Sequence, residues 1–310
     1  MSGEHRGGGD SAAWRFITWT FGIGWGLAAL LRTITGPMSV PVEYSARIET
    51  TPAAIILSVL FFLLPAIMAF TVARSTRTPL RRWGLRWPGL TPLLIAPLVA
   101  LGLALLATAL PVILGISEFE PSGMGEVQRL AEEQRIEALE LKLQLEDEGA
   151  VLSRKIGVRL LGGLILGLLF APIIELPWRG LLLTGLSGHR FAIASLTAGA
   201  VAAAWWLPHE LLVGSAGVHG SGIWAVTLIS YALLGIPLAW ARIQTDSILP
   251  AGVLAVTVSA MSEIPALATA GGSHLQLELC GMAAVGLLAA AAIIWQPKTA
   301  QSSEGGRAEQ

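Results

Sequence analysis

Glu175 and Arg179 stand four residues apart in Phe170-Ala171-Pro172-Ile173-Ile174-Glu175-Leu176-Pro177-Trp178-Arg179-Gly180, a stretch otherwise free of charge. At that spacing a carboxylate and a guanidinium share one helix face, with Glu on the N-terminal side, the better order for a helical ion pair. A carboxylate in such a setting can act as a general base, drawing a proton from a water within about 2.6–3.2 Å. Pro172 and Pro177 bracket Glu175. Each proline removes a backbone donor and crowds the carbonyl four residues back, so the helix should kink or open here. The same two charges can also satisfy one another and do no more than shape the surrounding bundle.

His209 is the second candidate. It closes the run Trp205-Trp206-Leu207-Pro208-His209-Glu210. An imidazole there can orient a water, ligate a metal, or simply sit at an interface. The following residues read His-Glu-Leu-Leu-Val and lack the second His that a zinc-protease helix carries four residues on. His219 and His274 fall in other loops, and nothing in their spacing draws them to His209. If a divalent metal such as zinc takes part, His209 is the ligand the sequence offers, and one His with one Glu is too few for a closed zinc site.

Such residues need elements to hold them, and composition says which. Of 310 residues, 54% are hydrophobic and 13% charged, against roughly 25% charged in soluble domains. Eight apolar segments reach the roughly 20 residues needed to cross a bilayer. They lie near 13–33, 53–73, 90–116, 156–186, 191–212, 223–241, 247–267 and 277–296. They are continuous runs rather than alternating ones, which argues against a β-barrel. The expected fold is an all-α polytopic membrane bundle of about eight transmembrane helices. Glu175 and Arg179 then lie at membrane depth, where an ionisable residue costs roughly 2.5–3.5 kcal/mol on insertion scales unless it is paired or faces a cavity.

The first span is followed by Arg32 and seven more spans, so it is not read as a cleavable signal. A net charge of −1 gives no reason to expect a nucleic-acid partner. The single Cys280 excludes an internal disulfide and reads as a small apolar core residue. Trp14, Trp83, Trp87 and Trp295 fall near span ends, where an indole suits the headgroup region.

Arg74, Arg77, Arg81, Arg82 and Arg86 crowd the loop after the second span, and such loops stay cytoplasmic. That sets both termini in the cytoplasm of an integral protein of the plasma (inner) membrane. Residues 207–222 and 268–276 become external, and neither loop holds Lys or Arg. The expected organisation is a disordered tail over 1–12, three helices over 13–117, an external acidic segment over 118–153, a membrane core over 154–297, and a disordered tail over 298–310. Ten of the 21 acidic residues lie between Glu118 and Glu148. The leucines among them, Leu130, Leu139, Leu141, Leu143 and Leu145, suggest an amphipathic helix. It reads either as a solvated surface helix or as a lid or docking element.

Together these residues resemble the CAAX protease and bacteriocin-processing (CPBP, or Abi) family of intramembrane endopeptidases, which has eight membrane helices. Its first motif, Glu-Glu-x-x-x-Arg, is similar to Ile174-Glu175-Leu176-Pro177-Trp178-Arg179, and its aromatic-x-x-x-His motif to Trp205 through His209. Gly235-Ile236-Pro237-Leu238-Ala239-Trp240 and Thr245-Asp246-Ser247-Ile248-Leu249-Pro250-Ala251 resemble its Gly-Ile-x-x-x-Trp and Thr-Gly-Ser-x-x-Pro-Ala segments. Trp83-Gly84-Leu85-Arg86 also fits. The likeness covers roughly 53–265, best over 160–255.

The chain departs from the family where the chemistry lies. The first Glu of the pair, assigned in the family to activating water with the motif His, is Ile174. The last motif's His and Asn or Asp fall on Ala255 and Ser259. The resemblance therefore implies two readings. In one, the chain is an endopeptidase with Glu175 as base, His209 orienting water, Arg179 clamping Glu175 and Trp205 shaping the pocket. In the other, it is an inactive relative that binds a membrane protein or peptide partner. Membrane lipid surrounds it in either case.

Overall fold

The computed structural model describes residues 7–35, 52–132, 152–212 and 223–296. Eight helices among them are long and apolar enough to cross a membrane, which makes the chain an integral membrane protein with an all-α bundle. They are α1 (Gly7–Thr35), α2 (Pro52–Ser75), α3 (Leu90–Ile113), α5 (Leu152–Ile174), α6 (Phe191–Leu212), α7 (Ile223–Thr245), α8 (Ile248–Met261) and α10 (His274–Ile294). The short helix α4 (Gly125–Glu132) sits outside this set, and α8 reaches membrane length only together with the short helix α9 (Ile264–Leu267). α9 completes the apolar run that begins with α8, and α1 begins at Gly7, ahead of the run that hydropathy marks out.

Small residues set the closest approaches. α5 packs along α8, and α6 along α7. A Cβ on Gly167 would lie 2.6 Å from the Val253 backbone, and one on Gly252 would lie 2.7 Å from the Ala171 backbone. Gly199 and Gly235 meet in the same way between α6 and α7. In lipid, where burial from water no longer drives helix association, such contact brings backbones close enough for dispersion to hold them.

Two cores result. α1, α2, α6 and the segment after α5 enclose Phe16, Phe61, Leu176, Trp178 and Trp205. α3, α8 and α10 enclose Leu93, Ala100, Val253, Leu254 and Ala284. Cys280 is buried with a free thiol.

The stretch from Glu118 departs from the continuous helix expected there. β1 (Glu118–Phe119) pairs antiparallel with β2 (Thr269–Ala270), and helix resumes only at Gly125. Pro121 lacks the N–H a helix interior needs, and Gly123 takes φ +77°, a left-handed conformation that ends rather than continues a helix. Residues 133–151, the rest of the acidic segment, lie outside the described residues. Arg129 of α4 is 1% exposed and donates to the carbonyls of Gly271 (2.9 Å) and Ala266 (2.7 Å), which ties α4 to the α9–β2 turn.

At the opposite end of the bundle the arginine-rich loop is pinned to α7 and α8. Gly84 takes φ +83°, and the Arg242 guanidinium lies where a Cβ on Gly84 would have to go. Arg242 donates to Asp246 at 2.9 Å, and Arg86 pairs with Asp246 at 2.6 Å. Ser247 Oγ donates to the Arg86 carbonyl at 2.6 Å, and Ile248 N–H to the Gly84 carbonyl at 2.9 Å. Asp246 takes φ +49° at the position where the resembled motif has glycine. Asp is among the few side chains that tolerate this conformation. Trp83, expected at the headgroups, is instead 5% exposed and packed against Gly180. Trp14, Trp87 and Trp295 are exposed, as residues of a headgroup belt would be.

Candidate functional site

The first motif begins where α5 loses its regular ladder. After Ile174 the backbone widens into a π-helical stretch, Leu176–Leu182, which closes with a short α-turn, Leu183–Gly185. Pro177 has no N–H to return to the preceding turn. The Glu175 carbonyl accepts from both Arg179 N–H (2.8 Å) and Gly180 N–H (3.0 Å), so the extra residue is absorbed there. Local widening of this kind is frequent at functional positions. Gly180 is needed for packing, since a Cβ there would lie 2.9 Å from the Trp83 carbonyl oxygen.

Every residue from Leu176 to Leu182 is buried. Glu175 is 2% exposed and Arg179 5%. Arg179 Nη1 lies 3.3 Å from Glu175 Oε2. Despite that proximity neither Glu175 Oε2 nor Arg179 Nε has a hydrogen-bond partner among the described residues. The ion pair offsets part of the cost of burial and leaves hydrogen-bonding capacity unused, which is unusual for buried charge.

That capacity faces a cavity of about 330 Å³. Glu175, Trp178 and Arg179 line it from the π-helical segment, Trp205 and Trp206 from α6, and Phe61 and Pro65 from α2. Ile174, Ala255 and Ser259 line it as well. The three positions where the chain lacks the polar groups of the resembled motifs thus converge on the same space as Glu175. Ile174 and Glu175 both reach the cavity although neighbours on a regular helix point about 100° apart. The break in the ladder lies at this point.

Trp205 is fully buried, stacks on Phe61 with ring centroids 4.5 Å apart, and donates its indole N–H to the Phe61 carbonyl at 2.9 Å. Trp178 stands 6.5 Å from it, centroid to centroid. The indole also presses against Gly24 of α1 so closely that no Cβ fits there. The Trp205 ring is therefore a fixed wall of the cavity.

Of the other sequence candidates, His209 belongs to α6 one turn beyond Trp205, and its side chain lies outside the described residues. His219 lies outside them too, and His189 is exposed in the loop before α6. His274 opens α10, 3.7 Å from Glu126 of α4, and lines a different cavity. Among the described residues no group of three His, Cys, Asp or Glu could hold a metal. The donors described around the cavity, one carboxylate already held by Arg179 and the hydroxyls of Tyr231 and Ser259, do not make a zinc site. Sequence reasoning missed Phe61, Pro65 and Tyr231 as cavity residues. A proline inside the second apolar run was the available signal for Pro65.

Residues 157–261 match the family model described as Type II CAAX prenyl endopeptidase Rce1-like. Over those residues the chain is similar to that family. No curated protein matches the chain. The Rce1-like segment runs from α5 to the end of α8, and so contains Glu175, Arg179, Trp205 and His209 together with Ile174, Ala255 and Ser259. α2, which supplies the Phe61 carbonyl, and α10 fall outside the matched residues.

Proposed function

We propose that the chain is a membrane-embedded, CAAX-protease-like endopeptidase that hydrolyses peptide bonds near the membrane. The observation that supports this most is Glu175 Oε2, a buried carboxylate oxygen that accepts no hydrogen bond among the described residues, on a residue that borders a cavity with room for water and a peptide group. In this reading Glu175 takes a proton from a water held with the help of His209. The hydroxide so formed attacks the peptide carbonyl carbon, and the proton passes to the leaving amine as the C–N bond breaks. Arg179 fixes the carboxylate, and the Trp178 and Trp205 rings confine the peptide. The protein sits in the inner membrane with both termini cytoplasmic, and its substrate is a membrane protein or a lipid-associated peptide.

The alternative is a catalytically inactive binder of a similar segment. It is favoured by Ile174 and Ala255, apolar side chains that line the cavity where the family places a carboxylate and an imidazole. Donors aimed at the developing oxyanion usually give the largest catalytic term, and Ser259 is a modest substitute for an amide.

Profiling of new protein N-termini in membranes separates the two. Cells with wild type, with His209→Ala, with Glu175→Gln and with no copy are compared at matched protein levels. Termini present only with wild type support the endopeptidase and give its cleavage site. Identical profiles in all four exclude it and leave the binder.

A further inference from the structure

A second cavity, of about 200 Å³, adjoins the first, and Tyr231, Leu234 and Ser259 line both. It lies between α3, α7, α8 and α10 at the end of the bundle that carries β1 and β2, and its walls are largely apolar. Glu278 lines it, one turn into α10, a helix of membrane-spanning length and hydropathy. Glu278 makes no hydrogen bond or ion pair among the described residues. Glu278 is exposed rather than sealed in the core, so its carboxylate is open to a ligand.

Three of the five hydroxyl side chains around it, those other than Tyr231 and Ser259, indicate which ligand. Thr227 donates to the Ile223 carbonyl (3.1 Å), Ser230 to that of Val226 (2.8 Å), and Ser262 to that of Ser259 (2.8 Å). Each has spent its proton on its own helix and turns only lone pairs outward. With the Glu278 carboxylate they form an acceptor-rich lining. His274, also on this cavity, stands near Glu126 on its other side. Arg129 is taken up by the β2-side carbonyls and by Glu126. An ammonium group, which is all donor, suits acceptors of this kind. A carboxylate or phosphate would meet the opposite of what it needs.

We infer that this cavity receives the ammonium of a lysine side chain, with Glu278 as its counter-charge, from a peptide segment whose backbone lies in the Glu175 cavity. The shared wall makes one ligand spanning both spaces the economical reading, and in that respect the inference rests on the endopeptidase or peptide-binding reading above. It assigns substrate selection to α10, outside the matched domain.

Binding rather than cleavage tests it, so a catalytically silent protein remains informative. Full-length protein in nanodiscs is titrated with host decapeptides carrying one lysine, or one norleucine of similar length, at each position in turn. At one position wild type should bind the lysine peptide about tenfold more tightly, equivalent to roughly 1.4 kcal/mol. Glu278→Gln should bind both peptides equally. Gly281→Leu supplies a second variant. Gly281 lines the cavity and a Cβ there meets nothing within 4 Å, so a larger side chain starts out into open space. It should weaken the lysine peptide selectively. Equal affinity for lysine and norleucine in wild type, or a lysine preference that survives Glu278→Gln, overturns the inference. So does tight binding of octylammonium without any lysine-peptide preference, which would make the site one for a lipid-like amine.

Discussion

The indole N–H of Trp205 donates to the Phe61 carbonyl, 2.9 Å away, the carbonyl that Pro65 cannot serve within α2. Residue 65 would ordinarily bond the carbonyl four residues back, and proline has no hydrogen with which to do so. Trp205 supplies the donor from another helix. In lipid an unpaired carbonyl has no water to turn to, so this bond ties α6 to α2 at the cavity wall.

Trp205→Phe keeps an aromatic ring and removes the donor. It should destabilise the protein by about 1–3 kcal/mol, the cost of a stranded polar group. Pro65→Ala in the same background restores a local donor and should recover part of that loss. Thermal unfolding in detergent, read by tryptophan fluorescence, checks both, and an unchanged midpoint for Trp205→Phe would remove the structural role given to the bond.

Arg179→Met leaves the Glu175 carboxylate buried without its counter-charge. The expected loss is about 3–5 kcal/mol. Glu175→Gln together with Arg179→Met removes both charges and should recover most of it. Guanidine-free thermal melts of the two variants in matched micelles make the comparison; equal losses would mean that the ion pair is not what holds the segment.

Gly180→Ala sets a methyl 2.9 Å from the Trp83 carbonyl oxygen. Overpacking of this kind costs about 1–3 kcal/mol. Limited proteolysis of the arginine-rich loop should accelerate in this variant, because the loop is seated on that glycine.

Ile174→Glu, Ala255→His and Ser259→Asn place three polar groups into the cavity that already holds Glu175. If the cavity is catalytic, the triple variant should cleave a fluorogenic membrane-tethered peptide faster than wild type, on the order of 10²-fold for a restored oxyanion donor. A folded triple variant with no gain would count against a hydrolytic cavity and favour the binder.

Much of this was legible in the sequence. Long uninterrupted apolar runs have few fates, and each of the eight expected spans corresponds to a membrane-length helix. The Glu175–Arg179 pair follows from spacing alone. The prolines announced a break in the ladder, but not that it would widen into a π-helix and bring Ile174 and Glu175 to one cavity. Trp83 was misread because a tryptophan at a span end suits headgroups and equally suits a glycine-lined niche, and only the position of Gly180 decides between them. Phe61 and Tyr231 were invisible because they enter the cavity from helices remote in sequence. The strand at Glu118 depends on a partner about 150 residues away, a pairing that no local pattern records. Glu278 was legible in principle, as a carboxylate inside the last apolar run.

The seat of the Arg242 guanidinium over Gly84 bears on how this protein can change over generations. Any side chain at position 84 must occupy the volume of that guanidinium, and the left-handed backbone there penalises it further. A lineage that acquires a side chain at 84 must swing the Arg242 guanidinium aside, which disturbs its contact to Asp246, and it still bears the strain of the left-handed backbone. Two positions about 160 residues apart are therefore expected to vary together.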